Sequence, residues 1–209
     1  MGTAIESSRP SQVTGWRFAL PAEAVHRLID VLVSGAASAI TWPVLVVAAV
    51  MIRLETPGPV IFRQKRMGRH NRPFTIYKLR TMKWGTPDVA KSSLSARDSR
   101  ITRVGAFLRC TSLDELPQFF NVLRGDMSVV GPRPALWNQH DLIAMRIQAG
   151  VHRLKPGLTG LAQIYGREEL PPERKVALEA YYARIRSPMT DLAIILATLR
   201  AVFSGRGAY

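Results

Sequence analysis

Cysteine is almost absent: of 209 residues, only Cys110 carries a thiol. That excludes a disulfide framework and a cysteine-built zinc site, and it fits a reducing, cytosol-facing location. Histidine is nearly as scarce. His26, His70, His140 and His152 are scattered, with no H-x-x-x-H pair, so a histidine metal site is not indicated either. Acids are also few: 15 Asp and Glu stand against 29 Lys and Arg, for a net charge of +14. Such an excess calls for an anionic partner, whether nucleic acid, an anionic membrane surface or a phosphorylated substrate. The nucleotide signatures G-x-x-x-x-G-K-[ST] and G-x-G-x-x-G are missing, as is the G-x-S-x-G of hydrolases. A phosphate site must therefore be assembled from arginine, lysine and backbone amides. What is present is a 47% hydrophobic composition, enough for one domain with a sizeable core.

The strongest single feature is an uncharged apolar run, Val31 to Ile52, of 22 residues. As a helix it rises about 33 Å, the thickness of a hydrocarbon core. Pro43 lies near its middle and removes a backbone donor there, so the run reads as a kinked span or as a re-entrant hairpin. The plainer alternative is a buried core helix, which a domain this small rarely surrounds on every side. Residues 1–20 are polar and read as a mobile tail. A cleaved secretory signal is not indicated, because the apolar run begins only after Glu23 and Asp30. From Arg53 to Lys83, nine basic residues face one acid, Glu55, a balance of +8 directly after the run. Basic flanks of this kind remain cytoplasmic and attract anionic headgroups.

Beyond the run, the patterns predict extended segments around PVIFRQ and PFTIYKL, joined by a turn at residues 68–71. Residues 84–99 read as a loop and 100–109 as a helix. Another helix is expected to start at Ser112 and end near Gly125. VVGPRP reads as a turn, 137–148 as an amphipathic helix, KPGLTG and Gly166-Arg167 as loops, and 173–186 as a helix. Met189 to Phe203 is an apolar helix suited to a membrane interface.

The chemistry centres on Ser112-Leu113-Asp114-Glu115. The S-x-x-E spacing is that of a capping box, in which Ser112 caps the helix and Glu115 reaches back to it. The functional alternative rests on the setting: two adjacent acids, close in sequence to Arg109, Arg124 and Arg133, favour ionised carboxylates that hold Mg²⁺ or attack phosphorus. The readings are compatible, with Glu115 capping and Asp114 reacting. Candidate phosphate ligands are Lys78, Arg80, Arg109 and Arg133, the last stiffened between Pro132 and Pro134; for each of them plain surface charge is the competing explanation.

Four segments in order carry a resemblance: Phe74 to Met82 (FTIYKLRTM), Leu108 to Gln118 (LRCTSLDELPQ), Asn121 to Pro134 (NVLRGDMSVVGPRP) and Lys155 to Gly160 (KPGLTG). From about Val25 onward the chain resembles the bacterial sugar transferases, the monotopic polyprenol-phosphate phosphoglycosyl transferases, in their minimal form. The resemblance implies a mainly helical α/β fold. It consists of a re-entrant membrane helix over 21–53, broken at Pro43, then a single catalytic domain over 54–209 with amphipathic interfacial helices. It implies transfer of a sugar-1-phosphate from a UDP-sugar to polyprenyl (undecaprenyl) phosphate with Mg²⁺, and release of UMP. Asp114 takes the place of the family's covalent nucleophile and Glu115 that of its partner in the dyad. The implied location is the bacterial inner membrane, cytoplasmic face. Two positions depart from the family: Trp42-Pro43 stands where it has Ser-Pro, and Gly160-Leu161-Ala162-Gln163 where it has Gly-Trp-Ala-Gln. With Ser replaced, Thr41 and the Trp42 indole are the nearby donors for a carbonyl freed at Pro43. The ending Ser204 to Tyr209 resembles members that start exopolysaccharide with a hexose phosphate. The competing function class is a non-catalytic basic membrane adaptor or nucleic-acid-binding protein. No helix-turn-helix, zinc-finger or RNP signature accompanies the charge, so nucleic acid is not the expected partner.

Overall fold

The computed structural model describes residues 20–86, 98–166 and 170–203. The expected tail, most of the 84–99 loop, Arg167 and the Ser204 to Tyr209 ending lie outside them. The described chain is mostly helical with two small sheets. Helix α1 runs from Leu20 to Glu55, followed by strands β1 (Ile61–Met67) and β2 (Pro73–Leu79), and helices α2 (Arg103–Cys110) and α3 (Gln118–Arg124). Strand β3 (Ser128–Val130), α4 (His140–Gln148), β4 (Gly157–Thr159), α5 (Leu161–Tyr165), α6 (Pro172–Ile185) and α7 (Pro188–Phe203) complete it.

Helix α1 passes through Pro43 as one 36-residue element. The expected division into two arms is therefore not seen as a break in the helix. Nor does Thr41 take the role expected of it: its hydroxyl donates to the Ala37 carbonyl at 2.7 Å, not to Ala39, whose carbonyl is the one a proline at 43 deprives of a donor. The buried residues of α1 form two groups. His26, Asp30 and Ser34, at helical spacing, are buried in the first half, and Ala48 and Ile52 in the second. Between them, no residue from 35 to 47 is buried.

Both halves of α1 dock on the same domain. In the first, Arg27 donates from Nη1 and Nη2 to the carbonyls of Val122 and Leu123, each at 2.6 Å, and so caps the C-terminal end of α3. Asp30 accepts from the Ser128 hydroxyl and the Val129 amide, both at 2.8 Å. His26 lies 2.7 Å from Asp191 of α7, which also accepts from the Tyr182 hydroxyl of α6 at 2.6 Å. In the second half, the Glu55 carboxylate accepts from the Arg103 and Val104 amides at 2.6 and 3.0 Å, at the N-terminal end of α2. The remaining faces carry exposed Leu32, Ile40, Trp42, Val46, Val47 and Val50. Among the described residues, α1 is the one helix long and apolar enough to cross a membrane.

Strands β1 and β2 form the expected antiparallel hairpin, in register from Ile61↔Leu79 to Met67↔Pro73. The free edge of β2 is closed by a side chain. Fully buried Asn121 of α3 donates to the Thr75 carbonyl at 2.7 Å and accepts the Tyr77 amide at 3.1 Å, standing in for a third strand. VVGPRP and KPGLTG are not simply turn and loop: β3 and β4 pair in parallel, Ser128↔Gly157 and Val130↔Thr159. Glycines allow the approach, since a Cβ on Gly157 would lie 2.1 Å from the Gly131 nitrogen. The main core gathers Ile76, Val122, Met127, Val129, Val130, Leu154 and Tyr182. A second cluster joins Ala48 and Ile52 of α1 to Leu79 and Leu108, each large apolar side chain contributing about 1.5–3 kcal/mol.

Candidate active site

The end of β2 and the start of α2 build the site together. Thr102 caps α2, its hydroxyl accepting the Gly105 amide at 2.9 Å. Gly105 then lies directly on the backbone of Thr81, where any Cβ would meet the Thr81 carbonyl oxygen at 2.0 Å. One turn later Arg109 reaches the same residue, its Nε donating to Thr81 Oγ1 at 2.8 Å. Close packing at Gly105 thus sets where Arg109 stands.

The chain reverses after α2 through Ser112, a non-glycine residue in left-handed conformation (φ 59°, ψ 15°). This overturns the capping box. Ser112 makes no side-chain cap bond, and Leu113–Glu115 is a single 3₁₀ turn, not the start of the next helix. That helix, α3, begins at Gln118, just after Pro117. A capping serine needs an extended backbone, which a left-handed residue does not have. Freed of a capping role, Glu115 turns to cations: Oε1 lies 2.8 Å from Lys78 Nζ and 2.8 Å from Arg133 Nη2, and Oε2 3.4 Å from Arg133 Nη1. Burial pushes the Glu115 carboxyl up, but the charges of Arg133 and Lys78 and their hydrogen bonds outweigh it. The net effect holds the group well below the usual carboxylate range.

Asp114, on the same turn, lines a cavity of about 270 Å³ together with Lys78, Arg80 and Arg109. Strand alternation adds Phe62, Gln64 and Arg66 of β1, and Lys83 and Trp84 complete the wall. Most of the ionisable lining is thus cationic, with Asp114 the acid among it. Of the candidate phosphate ligands, Lys78, Arg80 and Arg109 meet at this cavity, while Arg133 is joined to it through Glu115 and Lys78. Arg80 is also structural: only 5% exposed, it donates through Nη2 to the Thr56 carbonyl at 2.8 Å and through Nη1 to that of Pro57. Its Nε is buried without a hydrogen-bond partner. Arg124 stands apart, 3.6 Å from Asp126 and largely exposed. The sequence reading missed Thr81, Gly105 and Asn121; a glycine inside a predicted helix was the one signal available for them.

Among the described residues there is no cluster of three acidic, histidine or cysteine side chains. The donor set is two neighbouring carboxylates, with both short cation contacts of Glu115 made by Oε1. That fits a magnesium ion which arrives on a substrate diphosphate and takes one or two carboxylates from the protein.

A family model described as bacterial sugar transferase matches residues 21–205. The chain is 44% identical over 193 residues to a UDP-glucose:undecaprenyl-phosphate glucose-1-phosphate transferase of Caulobacter vibrioides, covering 88% of this chain and 71% of that one. It is 42% identical over 190 residues to an enzyme with the same name from Klebsiella pneumoniae, covering 88% of this chain and 41% of that one. With the protein of that name from Escherichia coli K12 it shares 39% over 200 residues, 90% of this chain and 43% of that one. It therefore spans less than half the length of the Klebsiella and Escherichia relatives.

Proposed function

Because the chain belongs to the bacterial sugar transferase family, we propose that it transfers a sugar-1-phosphate from a UDP-sugar to undecaprenyl phosphate, through a phosphosugar bound covalently to Asp114. Membership in a family of transferases sets aside the non-catalytic adaptor. The observation that carries the mechanism is the placement of Asp114 in a cavity walled by Lys78, Arg80 and Arg109.

In the first step a carboxylate oxygen of Asp114 attacks the sugar-bearing phosphorus. The bond from that phosphorus to the bridging oxygen breaks, and the electron pair leaves on UMP. In the second step a phosphate oxygen of undecaprenyl phosphate attacks the same phosphorus, and the Asp114 carboxylate departs unchanged. Splitting the transfer lets two large anions use one cavity in turn. Lys78 and Arg109 offset the charge of the diphosphate, and Arg80, held by the Thr56 and Pro57 carbonyls, adds a fixed positive charge to the same wall. Glu115 keeps Lys78 and Arg133 beside the attack site. Asp114, with Glu115 next to it on the same turn, would hold Mg²⁺, which would supply further neutralisation of the phosphates.

The same reading places the protein on one face of the bacterial inner membrane, the cytoplasmic one. Residues 21–53 form the membrane-embedded element and 54–209 the catalytic domain. Support comes from α1, whose two halves dock on one domain while 35–47 stay unburied and uncharged. A helix whose two halves are held by the same domain, with the unburied stretch between them, supports an element that enters and leaves the bilayer by one face; Pro43, which removes a backbone donor inside the otherwise continuous helix, is where it would bend. Met189, Leu192, Leu196 and Leu199 of α7 form an exposed stripe suited to the interface. The test is UMP release from a set of UDP-sugars with undecaprenyl phosphate and Mg²⁺. Release that requires the lipid acceptor and one class of UDP-sugar supports the reading. No release from any UDP-sugar contradicts it.

A further inference from the structure

We infer that Arg146 and Glu179, remote from the cavity, are positioning residues that act on the dyad through the backbone of Arg133; the inference rests on the reaction proposed above. Arg146 of α4 and Glu179 of α6 are 8% and 3% exposed. Arg146 Nε and Nη2 grip the two oxygens of Glu179 at 2.8 and 2.5 Å, and Nη2 also donates to the Arg133 carbonyl at 2.9 Å. The guanidinium of that same Arg133 holds Glu115, which holds Lys78. A chain of contacts therefore runs from α6 to the cavity: Glu179 to Arg146, Arg146 to the backbone carbonyl of Arg133, the Arg133 guanidinium to Glu115, and Glu115 to Lys78.

A buried ion pair stabilises a fold no better than well-packed apolar side chains, so its use is sought in what it orients. Here the orientation is specific. The planar guanidinium fork meets both carboxylate oxygens and still has a donor for one carbonyl, which a lysine in its place cannot do. The carbonyl belongs to the residue between Pro132 and Pro134, in a segment with little backbone freedom of its own. Arg66 Nη1 takes the next carbonyl, that of Pro134, at 3.1 Å. With both carbonyls held, the Arg133 side chain starts from a fixed point and reaches Glu115. Neither Arg146 nor Glu179 lines the cavity that holds Asp114, so the pair is placed to act through Arg133.

The test uses the full chain in detergent, with Glu179→Gln, Arg146→Lys and the conservative Glu179→Asp. Rates are expressed per folded molecule, the folded fraction being read from thermal melting. In Glu179→Gln and Arg146→Lys, kcat for UMP release is expected to fall about 10-fold or more while KM for the UDP-sugar shifts less than about 2-fold. Glu179→Asp should recover most of the lost kcat. Combining Glu179→Gln with Arg146→Lys should lose little beyond either alone, because the two act as one unit. Unchanged kcat per folded molecule, with only the melting temperature lowered, would overturn the inference. So would a raised KM at constant kcat, or failure of every variant to fold, since the pair would then only hold the fold together. Wild-type UMP release in the same assay separates these outcomes from failure of the reaction itself, in which no variant and no wild type turns over.

Discussion

Lys78 Nζ and Glu115 Oε1 lie 2.8 Å apart, joining the end of the hairpin to the turn that carries Asp114. Arg133 shares the same oxygen. Removing the charge in Glu115→Gln leaves two cations facing each other with no anion between them. Stability is expected to drop by about 1–3 kcal/mol at neutral pH, with a sharp loss of turnover. The pH dependence has a definite sign. The folded carboxyl titrates below its ordinary value of 4.5, so its stabilisation is complete above that value and is lost as pH falls through the lower folded one. Melting of wild type and Glu115→Gln across acid pH should therefore converge below pH 4.5. A gap that stays constant down to the acid limit contradicts the ion cluster.

Gly105 has a backbone carbonyl where its side chain would go. Gly105→Ala should push α2 off Thr81, costing about 1–3 kcal/mol through overpacking. It should also move Arg109 out of reach of Thr81 and lower UMP release. Thermal melting and turnover matching wild type would show that α2 does not depend on this approach.

Much of this architecture was legible in the chain, for reasons that differ by element. The hairpin was readable because the alternating runs and the 68–71 turn are local signals. The 22-residue apolar run was readable because nothing charged interrupts it. The Ser112–Glu115 spacing misled, because a capping box and a turn that presents two acids use the same residue types, and only the left-handed backbone of Ser112 separates them. The β3–β4 pair was invisible: three-residue strands have no periodicity, and their pairing depends on Gly131 and Gly157, far apart in sequence. The lysine and arginines facing Glu115 and Asp114 were nominated one by one from charge. Which of them meet is a matter of tertiary packing, from Asn121 on the edge of β2 to Gly105 on Thr81.

Arg27 caps the C-terminal end of α3 from the first half of α1. Arg27→Ala removes one donor from each of the Val122 and Leu123 carbonyls, of which Val122 keeps the Gly125 amide at 3.0 Å, and should cost about 1–3 kcal/mol. Arg27→Lys, with a single ammonium for two carbonyls, should recover only part. Melting temperatures equal to wild type in both variants would mean that α1 is not held there.

The docking of both halves of α1 is the basis of the re-entrant topology proposed above. A cysteine at Ala24→Cys, in a Cys110→Ser background, is expected to resist an impermeant maleimide applied to the periplasmic side of intact cells and to react after the membrane is opened. Labelling in intact cells means that α1 crosses the bilayer, and the re-entrant placement would have to be abandoned.

The covalent role of Asp114 is tested most directly by trapping. Wild-type protein incubated with a radiolabelled UDP-sugar and Mg²⁺, without lipid acceptor, should retain label on the polypeptide with stoichiometric UMP release, and should lose it when undecaprenyl phosphate is added. Asp114→Asn keeps the shape of the side chain but lacks the nucleophilic carboxylate, so it should fold normally, take no label and release no UMP. A labelled or wild-type-active Asp114→Asn protein would contradict the account.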